Sequence, residues 1–458
     1  MRRDIWITGL GCVCAAGRNV EDSLRALYAG ERPQAVPDFL RSMLAKHGDT
    51  AVNPVCAVPD TWIGDNWRRG STHDSSVLLG MAADEAVASA SLASLPARVG
   101  VCIGTTAGCA LHFLDDYGKI RTGSGQICSD SVRSNPACSG SAGSGSTSCN
   151  PACPEAAASG AASSCVDSPG ATSPGTAGSC ASVQDFYNHS MAHDLAALLA
   201  SRGMGEFSGP VLTISNACTS GADAIAMGAE WIRQGLCDVV FAGGTDALSV
   251  VPYIGFNKLM IYSPEPCKPF DAHRAGLNLG EGAGVLVLES AAHAEKRGVR
   301  PQGLLKGWGA ASDAHHMTAP HPDGRGLRKA LDIALDRAGA KPGDIAFINA
   351  HGTSTPENDR IESAVYSDLF SNTLLWASKG TTGHCLGGAG ALEAVFSICA
   401  LNRGSIPASV GCVEPEPGVA SMISRQESAF GSGLALSVSL GFGGSNAALV
   451  FGKVEQGV

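Results

Sequence analysis

An α/β fold built on largely parallel strands is predicted for this chain of 458 residues. Three observations carry the prediction. Short apolar runs recur between helical patterns, Gly-rich turns close the strand-to-helix junctions, and the composition can fill a large core. Apolar strands with helical crossovers belong to sheets covered on both faces. The length suits one large α/β unit or roughly two to three ordinary domains.

The elements follow in order. Asp4–Thr8 is a short apolar strand that ends in Gly-Leu-Gly. Val99–Ile103 is a second, followed by the turn Gly104–Gly108. Pro210–Ser215 leads into Asn216-Ala-Cys-Thr-Ser-Gly221 and a helical pattern over Ala222–Gln234. Val239–Gly243 is another buried strand. After residue 255 similar pieces recur at Gly284–Glu289, Ile345–Ala350 and Leu374–Ser378, with a helix from Gly390 to Asn402. Leu434–Leu440 and Ala447–Phe451 close the chain. Two such sets suggest an internal duplication, residues 1–255 carrying one half and 256–458 the other.

Composition excludes several classes. Hydrophobic residues make up 44% and charged residues 16%, and 58 glycines suit tight turns and close helix–sheet contacts. The net charge of −10, with no long basic run, argues against nucleic acid as partner. No apolar stretch is long enough for a membrane helix, and the N-terminus lacks a secretory pattern. The expected location is the cytoplasm. The 17 cysteines are therefore expected to be reduced, most of them small buried side chains.

Residues 122–182 stand apart, being nearly all Ser, Gly, Ala, Pro and Cys. Such a segment buries too little apolar surface to offset its ordering entropy, so a disordered insertion is expected. Its six cysteines, Cys128, Cys138, Cys149, Cys153, Cys165 and Cys180, are irregularly spaced and have no His among them. That pattern argues against zinc.

Chemistry concentrates at four places. Cys218 sits at a strand-to-helix junction, where the helix terminus favours thiolate and a sharp turn exposes the sulfur. The plain alternative is a buried Cys packing as a small hydrophobe. His351 follows the strand AFINA, at the end from which α/β folds address ligands. His384 lies in a Gly-rich turn before a helix. Lys379, five residues earlier, is placed to anchor an imidazole or bias its proton. For each of these a loop His or a solvated Lys is the plain reading. The turn Gly441-Phe-Gly-Gly-Ser-Asn446 can aim backbone N–H groups into a cavity, although an ordinary β-turn looks the same.

Eight linked motifs then carry a resemblance: VCIGTTAG, NACTSG, DVVFAGGTDA, PFDAHRAGLNLGEGAGVLVLE, SDAHHMTAP, AHGTSTPENDRIE, SKGTTGHCLGGAGA and GFGGSN. The chain resembles the stand-alone β-ketoacyl-[acyl-carrier-protein] synthases of Cys–His–His type. The resemblance covers almost everything except 122–182. It implies a thiolase-like, duplicated, five-layered α/β/α/β/α fold. It implies that Cys218 takes an acyl chain as a thioester, and that His351 and His384 stabilise the oxyanion formed when a malonyl group decarboxylates. It places the backbone N–H groups of Cys218 and Phe442 at the second oxyanion, with Phe442 also a gate and 312–320 a second mobile loop beside it. Lys379, Asp359 and Glu362 match a supporting polar network, Thr353 and Thr355 contacts to phosphopantetheine, and Ala107 the floor of the acyl pocket. Ser445 stands where Thr is commoner, and Asn216 points toward a specialised pathway.

The implied reaction is decarboxylative Claisen condensation with malonyl-carrier protein, extending a fatty-acid- or polyketide-like chain, polyenes included, by two carbons. An acyl carrier protein is the expected partner, and a homodimer or a heterodimer with a related subunit the expected assembly. No cofactor or metal is expected beyond the carrier's phosphopantetheine. The competing reading is a silent subunit that shapes a pocket for an active sister, as chain-length factors do. Those typically lack the nucleophile, which this chain keeps.

Overall fold

The computed structural model describes residues 5–46, 53–63, 74–96, 98–106, 190–370 and 372–454, all within one compact unit. Segment 122–182, with its six cysteines, lies outside the described residues, as does Ala107.

The strands are β1 (Ile5–Cys14), β2 (Val99–Gly104), β3 (Val211–Ile214), β4 (Val239–Asp246), β5 (Gly282–Ser290), β6 (Gly303–Ser312), β7 (Ile345–Asn349), β8 (Leu374–Trp376), β9 (Ser405–Ile406), β10 (Ser428–Ala429), β11 (Leu434–Gly441) and β12 (Ser445–Gly452). The helices are α1 (Val20–Ala29), α2 (Asp38–Lys46), α3 (Asp74–Ser89), α4 (Ser190–Ser201), α5 (Ser220–Gln234), α6 (Val250–Lys258), α7 (Ala291–Arg297), α8 (Arg325–Ala338), α9 (Pro356–Leu369) and α10 (Ala389–Arg403).

Ten strands form one sheet in the order β3-β2-β4-β5-β1-β6-β12-β11-β7-β8. The order is a repeat. Strands β3-β2-β4-β5-β1 have the same sequence of pairings as β8-β7-β11-β12-β6, and β1 joins β6 over Ile5–Ile7 only. The repeat turns over between β5 and β6, so a boundary at 255/256 falls inside the first set. The pairing also corrects the expectation of largely parallel sheets. In each set two pairs are parallel (β2–β3 and β2–β4; β7–β8 and β7–β11), and the other two are antiparallel.

Helices α5 and α10 pack together in the middle, with α10 against both β5 and β11. Helix α3 covers the outer face at β1 and β5, and α8 covers β6 and β12. That gives five layers. The central helices explain the apolar character of both: α10 is buried from Ala389 almost to its end.

Glycines set these layer distances. Gly-Leu-Gly was expected to end the first strand, yet β1 runs on to Cys14. A Cβ at Gly9 would lie 2.2 Å from the Ala86 carbonyl oxygen, and one at Gly11 2.0 Å from that of Ala82. Both residues are bare because α3 rests directly on them, not because the chain turns. Strand β6 (GLLKGWGAAS) went unanticipated. Its glycines Gly307 and Gly309 lie against α8 in the same way.

Gly309→Ala places a methyl 2.1 Å from the Ala330 carbonyl oxygen, far from the candidate site. The expected result is a loss of about 1–3 kcal/mol in urea-unfolding free energy. An unchanged transition would reject the packing argument.

Candidate active site

Each candidate side chain stands on a turn beyond a strand end. Cys218 follows β3, and the residue before it, Ala217, has φ +51°, a left-handed conformation that L-residues adopt only when surroundings enforce it. His351 lies two residues beyond β7. His384 sits between the helical turn Lys379–Thr382 and the 3₁₀ turn Leu386–Gly388. The sheet order brings the three turns to one end, where Cys218, His351 and His384 line a single cavity of about 340 Å³. The two imidazole centroids are 5.1 Å apart and nearly perpendicular. Thr353, Thr355 and Phe442 line the same cavity, as do Thr318, Ala319 and Pro320 from the 312–320 loop. Phe442 packs on Phe256, ring centroids 5.5 Å apart. The Thr353 and Thr355 hydroxyls are 2.9 Å apart.

Gly441 brings the β11–β12 hairpin onto the nucleophile turn. A Cβ there would come within 3.2 Å of the Cys218 backbone nitrogen. Ser445 ties the two together, its hydroxyl donating to Asn216 Oδ1 at 2.9 Å, while Asn216 Nδ2 donates to Asp223 at 2.7 Å.

Lys379 is buried beneath His351. Its ammonium has three protons and three acceptors: the His351 carbonyl at 2.6 Å, His351 Nδ1 at 3.3 Å and a Glu393 carboxylate oxygen. Donation to Nδ1 fixes the ring tautomer, leaving the His351 proton on Nε2. Burial, and then the Lys379 charge, holds both imidazoles well below the usual histidine range. Both rings are neutral.

Asp359 and Glu362, on α9, hold the backbone of the His351 turn. Glu362 accepts from the N–H groups of His351 and Gly352, and from Asn358 and Tyr366. Asp359 accepts from the N–H of Ser354, whose φ is +70°, and from that of Phe270.

Cys218 itself differs from expectation. Helix α5 has Thr219 as its N-cap, so the thiol lies one residue ahead of the cap. Only 6% of Cys218 is exposed. Burial pushes the thiol up to about 12 against the opposing charge of Lys379. A helix terminus, worth about 0.3–1 kcal/mol, is less than one pKa unit and cannot reverse this. The resting residue is a thiol.

Sequence reasoning missed Glu393, the buried partner of Lys379. Its signal was present: it is the lone Asp, Glu, Lys or Arg between Lys379 and Arg403, and a carboxylate there needs a partner. Asp246, buried at the end of β4, was missed as well.

The buried carboxyl of Glu362 has a measurable consequence. Burial first, and the charge of Asp359 second, push it from 4.5 to about 7. Between those values the folded chain keeps a proton that the unfolded chain has released. Its contribution is therefore complete below pH 4.5 and declines as pH rises toward 7, by up to about 1.4 kcal/mol per pH unit. The depressed histidines act in the other direction, losing stability as pH falls below 6.5. Glu362→Gln should flatten the decline between pH 4.5 and 7, measured by urea unfolding across that range. An unaltered slope would reject the assignment.

Comparison with known proteins places this geometry. The model described as "Beta-ketoacyl synthase, N-terminal domain" matches residues 170–294, and that described as "Beta-ketoacyl synthase, C-terminal domain" matches 302–413. The two meet between β5 and β6, where the strand repeat turns over. The first takes in residues 170–182, the end of the segment set apart on composition. The mitochondrial 3-oxoacyl-[acyl-carrier-protein] synthase of Arabidopsis thaliana is 40% identical over 267 residues, 54% of this chain and 57% of that protein. The 3-oxoacyl-[acyl-carrier-protein] synthase 2 of Staphylococcus aureus (strain COL) is 34% identical over 284 residues, 60% of this chain and 68% of the relative. Among solved structures, the ishigamide ketosynthase/chain length factor superposes with a TM-score of 0.78 at 26% identity, over 99% of this chain and 100% of that one. A ketosynthase in complex with its chain length factor from Xenorhabdus doucetiae gives 0.71 at 27%, over 99% and 98%. With both halves of the fold matched in order, this chain belongs to the β-ketoacyl synthase family.

Proposed function

We propose that the chain is a condensing acyltransferase that joins an acyl group on Cys218 to a malonyl unit on an acyl carrier protein. One observation supports this above the rest: a thiol and two neutral imidazoles meet in a single buried cavity. The reaction then runs in balanced steps. The Cys218 thiol attacks the acyl thioester, and its proton leaves with the carrier's thiol. A malonyl thioester enters next and loses its carboxylate as CO₂, and the electron pair moves into an enolate whose oxygen carries the negative charge. Neutral N–H donors on His351 and His384 receive that charge. The enolate carbon attacks the acyl-Cys218 carbonyl, whose oxyanion is met by the backbone N–H groups of Cys218 and Phe442. Collapse expels the Cys218 thiolate, which takes one proton from solvent, and releases a β-ketoacyl thioester two carbons longer.

The remaining roles follow position. Thr353 and Thr355 line the cavity where the phosphopantetheine arm enters, and Phe442, on the hairpin above Cys218, gates the acyl chain. A fatty-acid- or polyketide-like chain fits the apolar walls of Phe256, Ile261, Leu277 and Leu440. Strand β3 is the last of its sheet among the described residues, with Leu212 42% exposed. That edge favours a second subunit, either another copy or a related chain.

Intact-mass measurement with acyl- and malonyl-carrier protein tests the proposal. Wild type should gain an acyl adduct that Cys218→Ala lacks, and then form the β-ketoacyl product. His351→Ala and His384→Ala should still acylate while malonyl decarboxylation falls by about 10²–10³-fold. A wild type that is never acylated, but activates a co-expressed sister subunit, would establish the silent-partner reading instead.

A further inference from the structure

Both turns that present the histidines, like the Cys218 turn with Ala217 at +51°, contain a non-glycine residue forced to positive φ. Ser354, at +70°, follows His351, and Leu386, at +50°, follows His384. Such backbone persists only where its surroundings over-determine it. For the first turn the clamp is Asp359, whose carboxylate accepts from the Ser354 N–H.

The second turn has a clamp of the same kind. Asp246, wholly buried at the end of β4, accepts from the Gly387 N–H at 2.7 Å, one residue beyond Leu386 and three beyond His384. The same oxygen accepts from the Thr106 N–H at 2.8 Å, and the other from the Thr105 hydroxyl at 2.8 Å. Contact geometry shows how closely these pieces meet. A Cβ on Gly387 would fall 2.6 Å from the Thr106 nitrogen and 2.8 Å from Asp246 Oδ2. The Gly387 carbonyl in turn lies 2.7 Å from where a Cβ on Gly221 would be and 2.6 Å from one on Gly244. The His384 turn is therefore wedged between the first turn of α5, the end of β4 and the end of β2. Asp246 is the charged group that bonds two of those pieces to the turn.

We propose that Asp246 is a positioning residue for His384: its carboxylate fixes the strained turn Leu386–Gly388 against β2 and β4, and thereby sets where the imidazole meets the substrate oxyanion. It touches no reacting atom. Asparagine keeps the shape but not the charge: with its oxygen toward the N–H groups of Thr106 and Gly387 and its NH₂ toward the Thr105 hydroxyl, each charge-assisted hydrogen bond becomes a weaker neutral one. The consequence for catalysis rests on the proposed decarboxylation. The consequence for His384 does not.

The test compares Asp246→Asn with wild type in the full chain, reading the two half-reactions separately. Decarboxylation of malonyl-carrier protein depends on His384 and should fall about tenfold or more. Acylation of Cys218, followed by intact mass, should stay within about threefold of wild type. Decarboxylation that stays within about twofold, or acylation that falls in step with it, would overturn the proposal. A second readout needs no activity: ¹⁵N spectra of the histidine rings, with the His384 signals identified by their loss in His384→Ala. These should shift or broaden in Asp246→Asn while those of His351 hold, and unchanged His384 signals would overturn the assignment. If wild type does not decarboxylate at all, the proposed function fails and the ring spectra alone decide about Asp246. Should Asp246→Asn not fold, Thr105→Val removes one of the three donors given among the described residues and keeps the charge. Its His384 signals and decarboxylation should change in the same direction by a smaller factor, and no change in either would overturn the proposal.

Discussion

Lys379 is a cation placed where water cannot reach it, and the end of the molecule that carries the candidate site is arranged around that fact. Its three protons are each accepted, two by His351 and one by Glu393 on the central helix α10. Taking an ammonium out of water costs several kcal/mol, which a well-aligned carboxylate and further hydrogen bonds offset. The arrangement thus fixes Glu393, Lys379 and the His351 turn relative to one another. It also fixes chemistry, since a positive charge against Nδ1 keeps His351 neutral with its proton on Nε2. Burial pushes Glu393 up, and the same ammonium opposes it, leaving the carboxyl at about 7.

Acidic side chains near this cation have a different task. Asp359, Glu362 and Asp246 each accept from a backbone N–H group in the turns that carry the histidines. A buried carboxylate is costly unless its lone pairs are used, and a turn held away from regular structure offers unpaired N–H groups. Each need meets the other. The result is rigid loops at the ends of rigid strands, a requirement for donors that must meet charge at a defined point.

How much of this was legible in the sequence depends on the range of the interaction. Cys218, His351 and His384 announce themselves through Gly-rich turns after apolar strands, and Asp359 and Glu362 through their place in a motif beside His351. The partner of Lys379 was passed over because Glu393 lies 14 residues away on a helix that reads as core, although a lone carboxylate in that helix was a signal for it. Asp246 ends a strand in a way that resembles many turns, and its partners lie about 140 residues off in both directions. Strand direction failed for a related reason. An apolar run shows that both faces are buried, but not which way the neighbouring strand points. The Gly-Leu-Gly of β1 was misread because a glycine bared for helix contact looks the same as one bared for a turn.

These features converge on the charge of the site. A thiol held near 12 and two imidazoles held well below 6.5 give a cavity whose reacting groups are all uncharged at neutral pH. The same burial that makes Cys218 a poor thiolate makes each N–H donor strong toward an anion, because a low dielectric amplifies both effects. In the proposed reaction negative charge sits on a thioester oxygen only while the enolate exists, and on the acyl-Cys218 oxygen only while the tetrahedral intermediate exists. Donors that meet no anion in the resting state stabilise those moments without stabilising what precedes them. A site with a permanently ionised histidine would instead grip the malonyl carboxylate, the group that must leave as CO₂ and that gains by being in an apolar, uncharged surrounding. Neutrality, enforced by burial around one satisfied lysine, is therefore the property of this cavity that decarboxylation needs.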